Sequence, residues 1–419
     1  MTINEQSHIK SQGALTGVRV VDITTTVLGP VATQILGDLG ADVVKIEPPD
    51  GDPMRHLGPS RHEGMAAMFL GMNRNKRSIV LDLKKPESGE VLRRLVAKAD
   101  VVVHNMRPNA AERLGVSYAH LSAHNPRLVY ASASGYRRDG PNRDQPAFDE
   151  LIQSVSGISG LFMQGGDAAR YAPFVIADKV TGYVLASSIS AALFERERSG
   201  IGQEVQVPMF ETLVEFNLLE HFWGRAFIPP LGEPGYPRIL TPERRPFRTK
   251  DGFICVAATT DQQWERLFGV VGRPDLAADP RFAKMAQRTF HFEAAFQYLN
   301  EAMLARTTAE WITAFKAVDL PNGPVNELDD LFDSAYLRET GFFNEYDHPS
   351  EGRLVATNPA VSFSRTPSSM RRPPPRLGEH TREVMEKAGF LDWEISAVES
   401  HQLTRPTQRG PETTHGELQ

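Results

Sequence analysis

Between Gly17 and Val207 the chain alternates short β-branched runs with amphipathic stretches of helical period. The runs are apolar almost throughout, which is typical of strands that are buried on both faces. A parallel sheet with helices packed on both sides provides that environment. The alternation therefore predicts an α/β fold built on a parallel sheet. The predicted strands are VRVVDI, DVVKIE, SIVLDL, DVVVHN, LVYASASGY and QEVQVPM, and long helices are predicted over FDELIQSVSGISGLF and from Asp178 to Glu197.

The composition changes near residue 226, where Pro, Gly and Arg become frequent and apolar repeats become rare. Such a stretch is typical of a linker, and we assign residues 226–250 to it. A smaller α+β domain is predicted over 251–325. The N-terminal part of the large domain is predicted over 1–225. Residues 326–400 are predicted to form a return linker and the C-terminal part of the large domain, with one helix. Residues 401–419 are polar and are predicted to form a loose tail.

Charge and hydropathy exclude several classes of protein. The 419 residues carry a net charge of −6, so no basic field is present that would hold a nucleic acid. Apolar runs are interrupted well before the ~20 residues needed to cross a bilayer, and the N-terminal segment MTINEQSHIKSQGA contains no apolar signal core. Cys255 is the only cysteine, which excludes an intrachain disulfide. We therefore expect a cytoplasmic protein with neither a membrane nor a nucleic acid as partner.

The common binding motifs of α/β proteins are absent. The turn after the first strand reads TTTVLGPVATQILGDLG and lacks the closely spaced glycines that bring a dinucleotide pyrophosphate to a helix. Gly29 and Pro30 fit a plain turn into a helix, with Pro30 near the first helical position. No P-loop, GxSxG elbow or HExxH motif occurs, and no metal site is predicted. His104, His221 and His380, taken singly, fit structural or surface roles.

Asp178 is the acidic residue with the most informative surroundings. It follows the apolar run YAPFVIA and precedes a helix that is rich in small residues. One interpretation is an aspartate that caps this helix. The other is a nucleophilic carboxylate, because a helix N-terminus keeps an aspartate ionised and an apolar approach excludes water. The residues alone leave both interpretations open.

Several segments follow one another in a fixed order: LTGVRVVDIT, LGDLGADVVKIEPP, NRNKRSIVLDLK, NPRLVYASASGY, PAFDELIQSVSG, IADKVTG, ERERSGIGQEVQV, DLPNGPVNELDDLF and LGEHT. In this order they resemble the class III CoA-transferase family, which includes formyl-CoA transferase, carnitine CoA-transferases and α-methylacyl-CoA racemases. The resemblance extends from about Leu15 to Leu391. It implies an enzyme that moves the CoA thioester from an acyl-CoA to a carboxylic acid. It implies no tightly bound cofactor, since coenzyme A and acyl-CoA are substrates.

The resemblance also implies a mechanism and an architecture. The family's nucleophilic aspartate falls on Asp178, which would form mixed anhydrides with the acids and an aspartyl-CoA thioester between them. The implied architecture is a homodimer of interlinked rings, each with a Rossmann-like large domain and a smaller domain. In formyl-CoA transferase a flexible Gly-rich loop covers the site. The corresponding PPLGEPGYP has no glycine run, which disfavours formate and oxalate as substrates.

A CoA pocket is implied by the same resemblance, with two departures from the family. Pro48 stands where many relatives carry an adenine-binding Arg, and Val27 stands where formyl-CoA transferase has a Gln. Arg55 is the nearest cation that would substitute for the missing Arg. Lys84 and Arg113 are expected near the CoA phosphates, although both also fit solvated surface charges. The pocket residues are Val27, Leu28, Pro48, Leu81, Lys84, His104, Asn105, Met106 and Arg113.

Phe148, which we include among the residues lining the CoA site, distinguishes two reactions within the family. The racemases carry a His at this position, which acts with the catalytic Asp as acid and base across the α-carbon. Phe148 cannot transfer a proton, so CoA transfer is favoured. It also fits a core aromatic of the helix FDELIQ. Two other functions stay open on the sequence alone: a 2-methylacyl-CoA racemase, and a catalytically silent CoA-binding protein in which Asp178 only caps its helix.

Overall fold

The computed structural model describes residues 13–403 and, of their side chains, those up to residue 399. Predictions that concern residues 1–12 and 404–419, at the N-terminal segment and in the polar tail, lie outside the described residues. Within the described range the strands are β1 (Arg19–Ile23), β2 (Asp42–Glu47), β3 (Lys76–Val80), β4 (Val101–His104), β5 (Val129–Ser132), β6 (Glu204–Gln206), β7 (Phe247–Arg248), β8 (Phe253–Val256), β9 (Asn322–Pro324), β10 (Phe343–His348) and β11 (Gly352–Thr357).

Strands β1 to β6 form one parallel sheet in the order β3-β2-β1-β4-β5-β6. In its centre, Val21 of β1 pairs with Val44 on one side and with Val102 on the other. The predicted mixed α/β fold with a parallel sheet is confirmed. The strand order reverses between β1 and β4, and open α/β sheets bind ligands at the carboxyl ends of their strands at such a point.

Proline begins several of the helices. Pro86, Pro108 and Pro237 each occupy the first turn, where the N–H that proline lacks would have no partner within the helix. Helix bounds therefore follow local signals in the sequence. The helices are α1 (Leu28–Asp38), α2 (Ala67–Met72), α3 (Pro86–Ala97), α4 (Pro108–Arg113), α5 (Tyr118–Ser122), α6 (Asp149–Val155), α7 (Ile158–Gln164), α8 (Ile176–Ser199), α9 (Met209–His221), α10 (Pro237–Leu240), α11 (Asp261–Val270), α12 (Asp275–Ala278), α13 (Met285–Arg288), α14 (Phe292–Met303), α15 (Thr308–Ala317), α16 (Leu328–Asp333), α17 (Ala335–Glu339), α18 (Thr381–Ala388) and α19 (Asp392–Leu403).

The chain divides into two compact units. The first consists of the chain up to Ala147, of Asp178–Met209 and of the chain from Phe343 onward. The second consists of Phe148–Ala177 and Phe210–Phe342. The segment that precedes Asp178 therefore belongs to the second unit. The domain ranges predicted from composition differ from this division and stay predictions.

The C-terminal part of the first unit covers the β3 edge of the sheet. The N–H of Val80 donates to the Thr381 hydroxyl (3.3 Å), and the N–H of Gly378 donates to the Ser78 hydroxyl (2.9 Å). Full burial of a large apolar side chain contributes about 1.5–3 kcal/mol, so helices α18 and α19 add substantially to the core of this unit. Val384 and Met385 of α18, Ile395 of α19 and Phe390 between the two helices belong to this core.

The second unit has an apolar core of its own. Strands β7, β8 and β9 form a three-stranded antiparallel sheet. Thr260 and Thr307 begin α11 and α15 with capping boxes, in which each threonine side chain accepts from a backbone N–H of the first turn. The predicted linker 226–250 contains the short helix α10. The aromatic core residues are Phe247, Trp264, Phe268, Phe282, Phe292, Phe296, Trp311 and Phe315.

Two predicted helices are each divided by a glycine in the left-handed conformation. FDELIQSVSGISGLF forms α6 and α7 rather than one helix, because Gly157 between them has a φ of 93°. The C-terminal segment predicted as one helix forms α18 and α19, and Gly389 between them has a φ of 91°. Residues other than glycine rarely adopt this conformation. Helical period alone therefore overestimated the length of both helices.

Candidate active site

Eight of the predicted CoA-binding residues gather at one edge of the parallel sheet. Parallel strands have their carboxyl ends at the same edge, so segments that are distant in the sequence lie together there. The segments that follow β1, β2, β3 and β4 each contribute to this edge. The structure thus brings to it the predicted residues Val27, Leu28, Pro48, Leu81, Lys84, His104, Asn105 and Met106.

Close packing defines the segment Thr24–Pro30, which joins β1 to α1 (the β1–α1 segment). A Cβ atom added at Gly29 would lie 2.2 Å from the Cβ of Thr24, so only glycine fits at this position. Val27 precedes α1 without a side-chain cap. The N–H groups of Val27, Leu28 and Gly29 are therefore donors that the helix itself cannot satisfy.

Side chains from neighbouring strands hold the backbone of this segment. Asn105, after β4, accepts from the N–H of Thr25 (3.0 Å) and donates to its carbonyl (2.8 Å). Asp52, after β2, accepts from the N–H of Thr26 at 3.1 Å. Thr26 has a φ of 72°, a conformation that costs a residue other than glycine about 1–3 kcal/mol. These hydrogen bonds help to retain the strained conformation.

Four buried charges lie beneath the β1–α1 segment: Asp22, Lys45, Asp52 and Lys76. Lys45 Nζ donates to the carbonyl of Thr24 (2.7 Å) and pairs with Asp52 Oδ2 at 2.9 Å. Lys76 Nζ pairs with Asp22 Oδ2 at 3.2 Å. Two positive and two negative groups are thus balanced beneath the segment, as buried charges require.

Burial and charge pairing act in opposite directions on these groups. Burial alone would raise the pKa of Asp22, but Lys76 and Lys45 hold it below its ordinary value. Burial also disfavours the charge on Lys45, yet three nearby carboxylates raise its pKa. Burial lowers the pKa of Lys76 to about 8, because Asp22 offsets the effect only in part. All three groups therefore remain charged at neutral pH.

Arg55, which the sequence suggests as a substitute adenine contact, is engaged elsewhere. Its Nε and Nη2 donate to the Glu47 carboxylate, both at 2.8 Å. Its remaining N–H groups reach the carbonyls of Gly64 (3.0 Å) and Pro375 (3.1 Å), and its guanidinium stacks on Phe69. The side chain is only 1% exposed. Contact with an adenine would require this buried pair to open, so the geometry indicates a structural role for Arg55.

Asp178 lies in the first turn of α8, two residues after the helix begins at Ile176. It is therefore inside the turn rather than at the cap position, and the helix dipole favours its ionised form. One turn later, a Cβ added at Gly182 would lie 2.8 Å from the carbonyl oxygen of Leu28. Residues i and i+4 share a helix face. Asp178 is thus on the face of α8 that meets the β1–α1 segment.

The cations predicted near the CoA phosphates are exposed to solvent. Lys84 follows β3, and Arg113 ends α4. Exposed cations are available to phosphate groups. Leu81 differs, because it is buried and lines an apolar groove of about 260 Å³ together with Phe390 and Trp393. The sheet edge therefore offers both charge and apolar surface.

His104 ends β4 as a buried, neutral ring. Its Nδ1 accepts from the N–H of Met106 (3.1 Å), which leaves the proton on Nε2 for the Tyr130 hydroxyl at 2.6 Å. Desolvation, with a smaller contribution from the charge of Arg138, lowers the pKa of His104 to about 4. At neutral pH His104 is therefore uncharged and forms a hydrogen-bonded bridge between β4 and β5. It cannot form an ion pair with a CoA phosphate.

This His104 environment predicts a pH dependence of stability. Between pH 6.5 and about 4 the unfolded chain binds a proton that the folded chain does not, so stability falls as the pH falls through this range. Between pH 7 and 4.5 we expect the parent to lose roughly 2–3 kcal/mol more than His104→Gln, which still offers a donor to Tyr130. Urea unfolding at both pH values measures the difference, and parallel losses in the two proteins would contradict it.

Phe148 immediately precedes α6 and is 68% exposed. The interpretation of Phe148 as a core aromatic is therefore wrong, because its ring has no buried position in helix α6. It is the first residue of the second unit. A phenyl ring has no proton to transfer, whatever the substrate beside it.

The sequence-based prediction missed the charged residues beneath the site. Lys45 interrupts the apolar strand DVVKIE, and Lys76 begins β3. A charge within a strand that is buried on both faces is costly unless it is paired, and this signal was visible in the sequence. The partners Asp22 and Asp52 became identifiable only when the strand order was known.

Among the side chains that the structure describes, no group of His, Cys, Asp and Glu is arranged to hold a metal ion. No helix within residues 13–403 is long and apolar enough to cross a bilayer. The cytoplasmic location stays a prediction.

Comparison with known proteins gives one consistent result. The model of CoA-transferase family III matches residues 15–381. An acyl-CoA transferase of Fusarium pseudograminearum is 34% identical, over 92% of this chain and 87% of its own. A succinate–glutarate CoA-transferase of Agrobacterium fabrum is 33% identical, over 90% of this chain and 96% of its own. A crystal structure of a Mycobacterium tuberculosis protein, named as a probable fatty acyl-CoA transferase, is 30% identical and has a TM-score of 0.76, covering 88% of this chain and 98% of that one.

Proposed function

The chain belongs to CoA-transferase family III and is a CoA-transferase, and we propose that it moves CoA between two carboxylic acids through a covalent intermediate on Asp178. The observation that carries this proposal is the contact between α8 and the β1–α1 segment at Gly182, one turn from Asp178. Through this contact, the carboxylate of Asp178 lies near the N–H donors at the start of α1 that the helix itself does not satisfy. A nucleophile beside preorganised donors is what acyl transfer requires.

The proposed reaction proceeds in four acyl transfers. An oxygen of Asp178 attacks the thioester carbonyl, the C–S bond breaks, and a mixed anhydride and the CoA thiolate form. The thiolate attacks the Asp178 carbonyl, which releases the donor acid and leaves an aspartyl-CoA thioester. The acceptor carboxylate displaces the thiolate again to form a second anhydride. Attack of the thiolate on the acceptor carbonyl gives the new acyl-CoA and regenerates the Asp178 carboxylate.

The N–H groups of Val27 and Leu28 are the proposed oxyanion donors. Each tetrahedral step places negative charge on a carbonyl oxygen, and one such donor is worth about 2.7–4 kcal/mol in other acyl-transfer sites. Val27 is the residue before α1 and Leu28 is its first residue, so both N–H groups lie at the helix N-terminus, where the dipole also favours negative charge. Because no side chain caps this helix, the donors remain available to the substrate.

The acceptor is proposed to be a dicarboxylic acid. The name of the Agrobacterium relative includes succinate and glutarate, which supports this class for the present chain. A panel of acyl-CoA donors against dicarboxylate, carnitine and aromatic-acid acceptors, read by mass spectrometry, tests the proposal. Formation of dicarboxylyl-CoA as the fastest product is expected. Faster transfer to carnitine or to an aromatic acid would overturn the substrate class.

The covalent step is tested by intact mass. Acyl-CoA supplied without an acceptor should increase the mass of the protein by one CoA minus one water, and peptide mapping should find the adduct on Asp178. An acceptor added afterwards should remove it. Full activity without any adduct on Asp178 would contradict the mechanism.

Lys84 and Arg113 are proposed to contact the CoA phosphates. Their replacement by alanine should raise the Michaelis constant for acyl-CoA about tenfold with little change in turnover, since remote phosphates bind alike in ground and transition states. Lys98, an exposed lysine at the opposite end of α3, provides the control, and Lys98→Ala should change neither constant. A lower turnover with an unchanged Michaelis constant would argue against the phosphate contact.

An interlinked homodimer is the proposed assembly. In the single chain, α9 exposes the apolar residues Phe216 and Leu219, and Ile228 after it is fully exposed. Helix α8 independently exposes Tyr183 and Phe194. Apolar surface of this extent is typical of a partner interface. Sedimentation at low concentration should show no folded monomer, and a stable CoA-binding monomer would contradict the interlinked arrangement.

A further inference from the structure

The β1–α1 segment is held from beneath at both of its ends. Lys45 Nζ donates to the first carbonyl of the segment (2.7 Å), and Lys76 Nζ donates to the last (3.0 Å). Between these points the Asp52 carboxylate accepts from the N–H of Thr26 (3.1 Å). These contacts restrict the backbone of the segment and hold Thr26 in its positive-φ conformation.

The pair of Lys45 and Asp52 joins two of these contacts. Lys45 Nζ lies 2.9 Å from Asp52 Oδ2, while Asp52 Oδ1 accepts from the N–H of Thr26 and from that of Met54. Both side chains are completely buried. A buried ion pair provides little or no net stability over apolar side chains of the same volume. Its distinctive effect here is geometric, because it ties the Thr24 carbonyl and the Thr26 N–H to one rigid unit.

We propose that Lys45 and Asp52 are positioning residues for CoA transfer: they fix the β1–α1 segment so that the N–H groups of Val27 and Leu28 stay directed at the reacting carbonyl of Asp178. This inference rests on the proposed function. Donors that are already in place stabilise an oxyanion without reorganisation, and a misplacement of about 1 Å in a reacting site lowers rates about 100-fold. Both positioning side chains are completely buried and bond to the backbone of the segment.

The variants Lys45→Met and Lys45→Met/Asp52→Asn separate positioning from stability. In the single variant the Thr24 carbonyl loses its donor and Asp52 becomes an unpaired buried charge, so both stability and turnover should fall. The double variant removes the unpaired charge, and its free energy of unfolding should recover. Its Thr24 carbonyl still lacks a donor, so turnover should stay at least about tenfold below the parent's, with the Michaelis constant for acyl-CoA within about twofold.

Arg74 and Asp38 provide a matched control pair. They are buried in the same unit and joined by two hydrogen bonds of 2.8 and 2.7 Å, but they hold the far end of α1. Arg74→Met/Asp38→Asn should therefore keep the parent's turnover. All rates are compared at a temperature at which circular dichroism shows each variant to be folded. Recovery of both stability and turnover in the Lys45→Met/Asp52→Asn variant would overturn the proposal.

Asp52→Asn alone serves if Lys45→Met does not fold. The asparagine Oδ1 still accepts from the N–H of Thr26. Its NH2 group, however, is a donor that faces the Lys45 ammonium, which is also a donor. The ammonium should therefore move away from the Thr24 carbonyl. We expect turnover to fall at least about threefold at an unchanged Michaelis constant. An unchanged turnover would overturn the proposal as well.

The same samples distinguish a failure of this proposal from a failure of the proposed function. If the Asp178→Ala protein retained activity, the covalent mechanism would be wrong, whatever result the Lys45 variants give. If the Asp178→Ala protein were inactive but the Lys45 variants kept the parent's turnover, only the positioning role would be contradicted. Intact-mass time courses provide a further readout, because the adduct on Asp178 should form more slowly in the Lys45 variants.

Discussion

Substitution of Asp178 by alanine or by asparagine is expected to lower CoA transfer by at least about 1,000-fold. The carboxylate supplies the oxygen that bonds to the acyl group, and neither a methyl group nor an amide replaces it. CoA binding should change little, because most of the predicted CoA contacts lie on the segments after β1 to β4. Initial rates with saturating acyl-CoA and acceptor measure the first effect, and calorimetric titration with CoA measures the second.

Asp392 provides the matched control for this experiment. It also lies in a helix first turn of the same unit, at the start of α19, and its side chain is 90% exposed. Asp392→Asn is the same chemical change and should leave the rate unaltered. If Asp178→Ala kept most of the parent's activity, the mechanism proposed here would be wrong.

Gly182→Ala is expected to lower turnover about 100-fold, which is the effect of a misplacement of about 1 Å in a reacting site. The added Cβ would lie 2.8 Å from the carbonyl oxygen of Leu28, so α8 must move away from the β1–α1 segment. The movement separates Asp178, one turn away, from the N–H donors of Val27 and Leu28. In a helix interior alanine is otherwise about 1 kcal/mol more stable than glycine. The steric clash with Leu28 should destabilise the protein by more than this amount.

Gly269 in α11 is the control for the glycine substitution. A Cβ added there meets no atom within 4 Å, so Gly269→Ala should stabilise the helix and leave turnover unchanged. Turnover and the free energy of unfolding are measured for both variants. A Gly182→Ala protein with the parent's turnover would show that α8 does not have to touch the β1–α1 segment for reaction.

The sheet was predictable because its strands carry their signal locally. DVVKIE became β2 with the predicted bounds, and the order of apolar runs and helices specified a parallel α/β fold. Helix lengths were less predictable, since the break at Gly157 depends on a left-handed backbone that the helical period does not reveal. Local patterns predict elements, whereas backbone conformation at single glycines decides where they end.

The site was predictable only in part, for a different reason. The resemblance supplied residues such as Leu28 and Asn105, which do lie at the same sheet edge. The pair of Lys45 and Asp52, and its contact with the Thr24 carbonyl, depend on which strands are neighbours. Arg55 illustrates the same limit, because its partner Glu47 was not apparent from the sequence. Contacts between strands have no local sequence signature.

The covering of β3 by the C-terminal segment has a consequence for biosynthesis. The hydrogen bond between Val80 and Thr381 joins residues that are 301 positions apart. At translation rates of about 5–20 residues per second, roughly 15–60 s pass between the emergence of the two. During that interval the nascent sheet has an open edge and an unfilled apolar surface beside it, where another chain can pair. Chaperone binding to the nascent chain, and the timing of its release, should therefore depend on synthesis of the last helices.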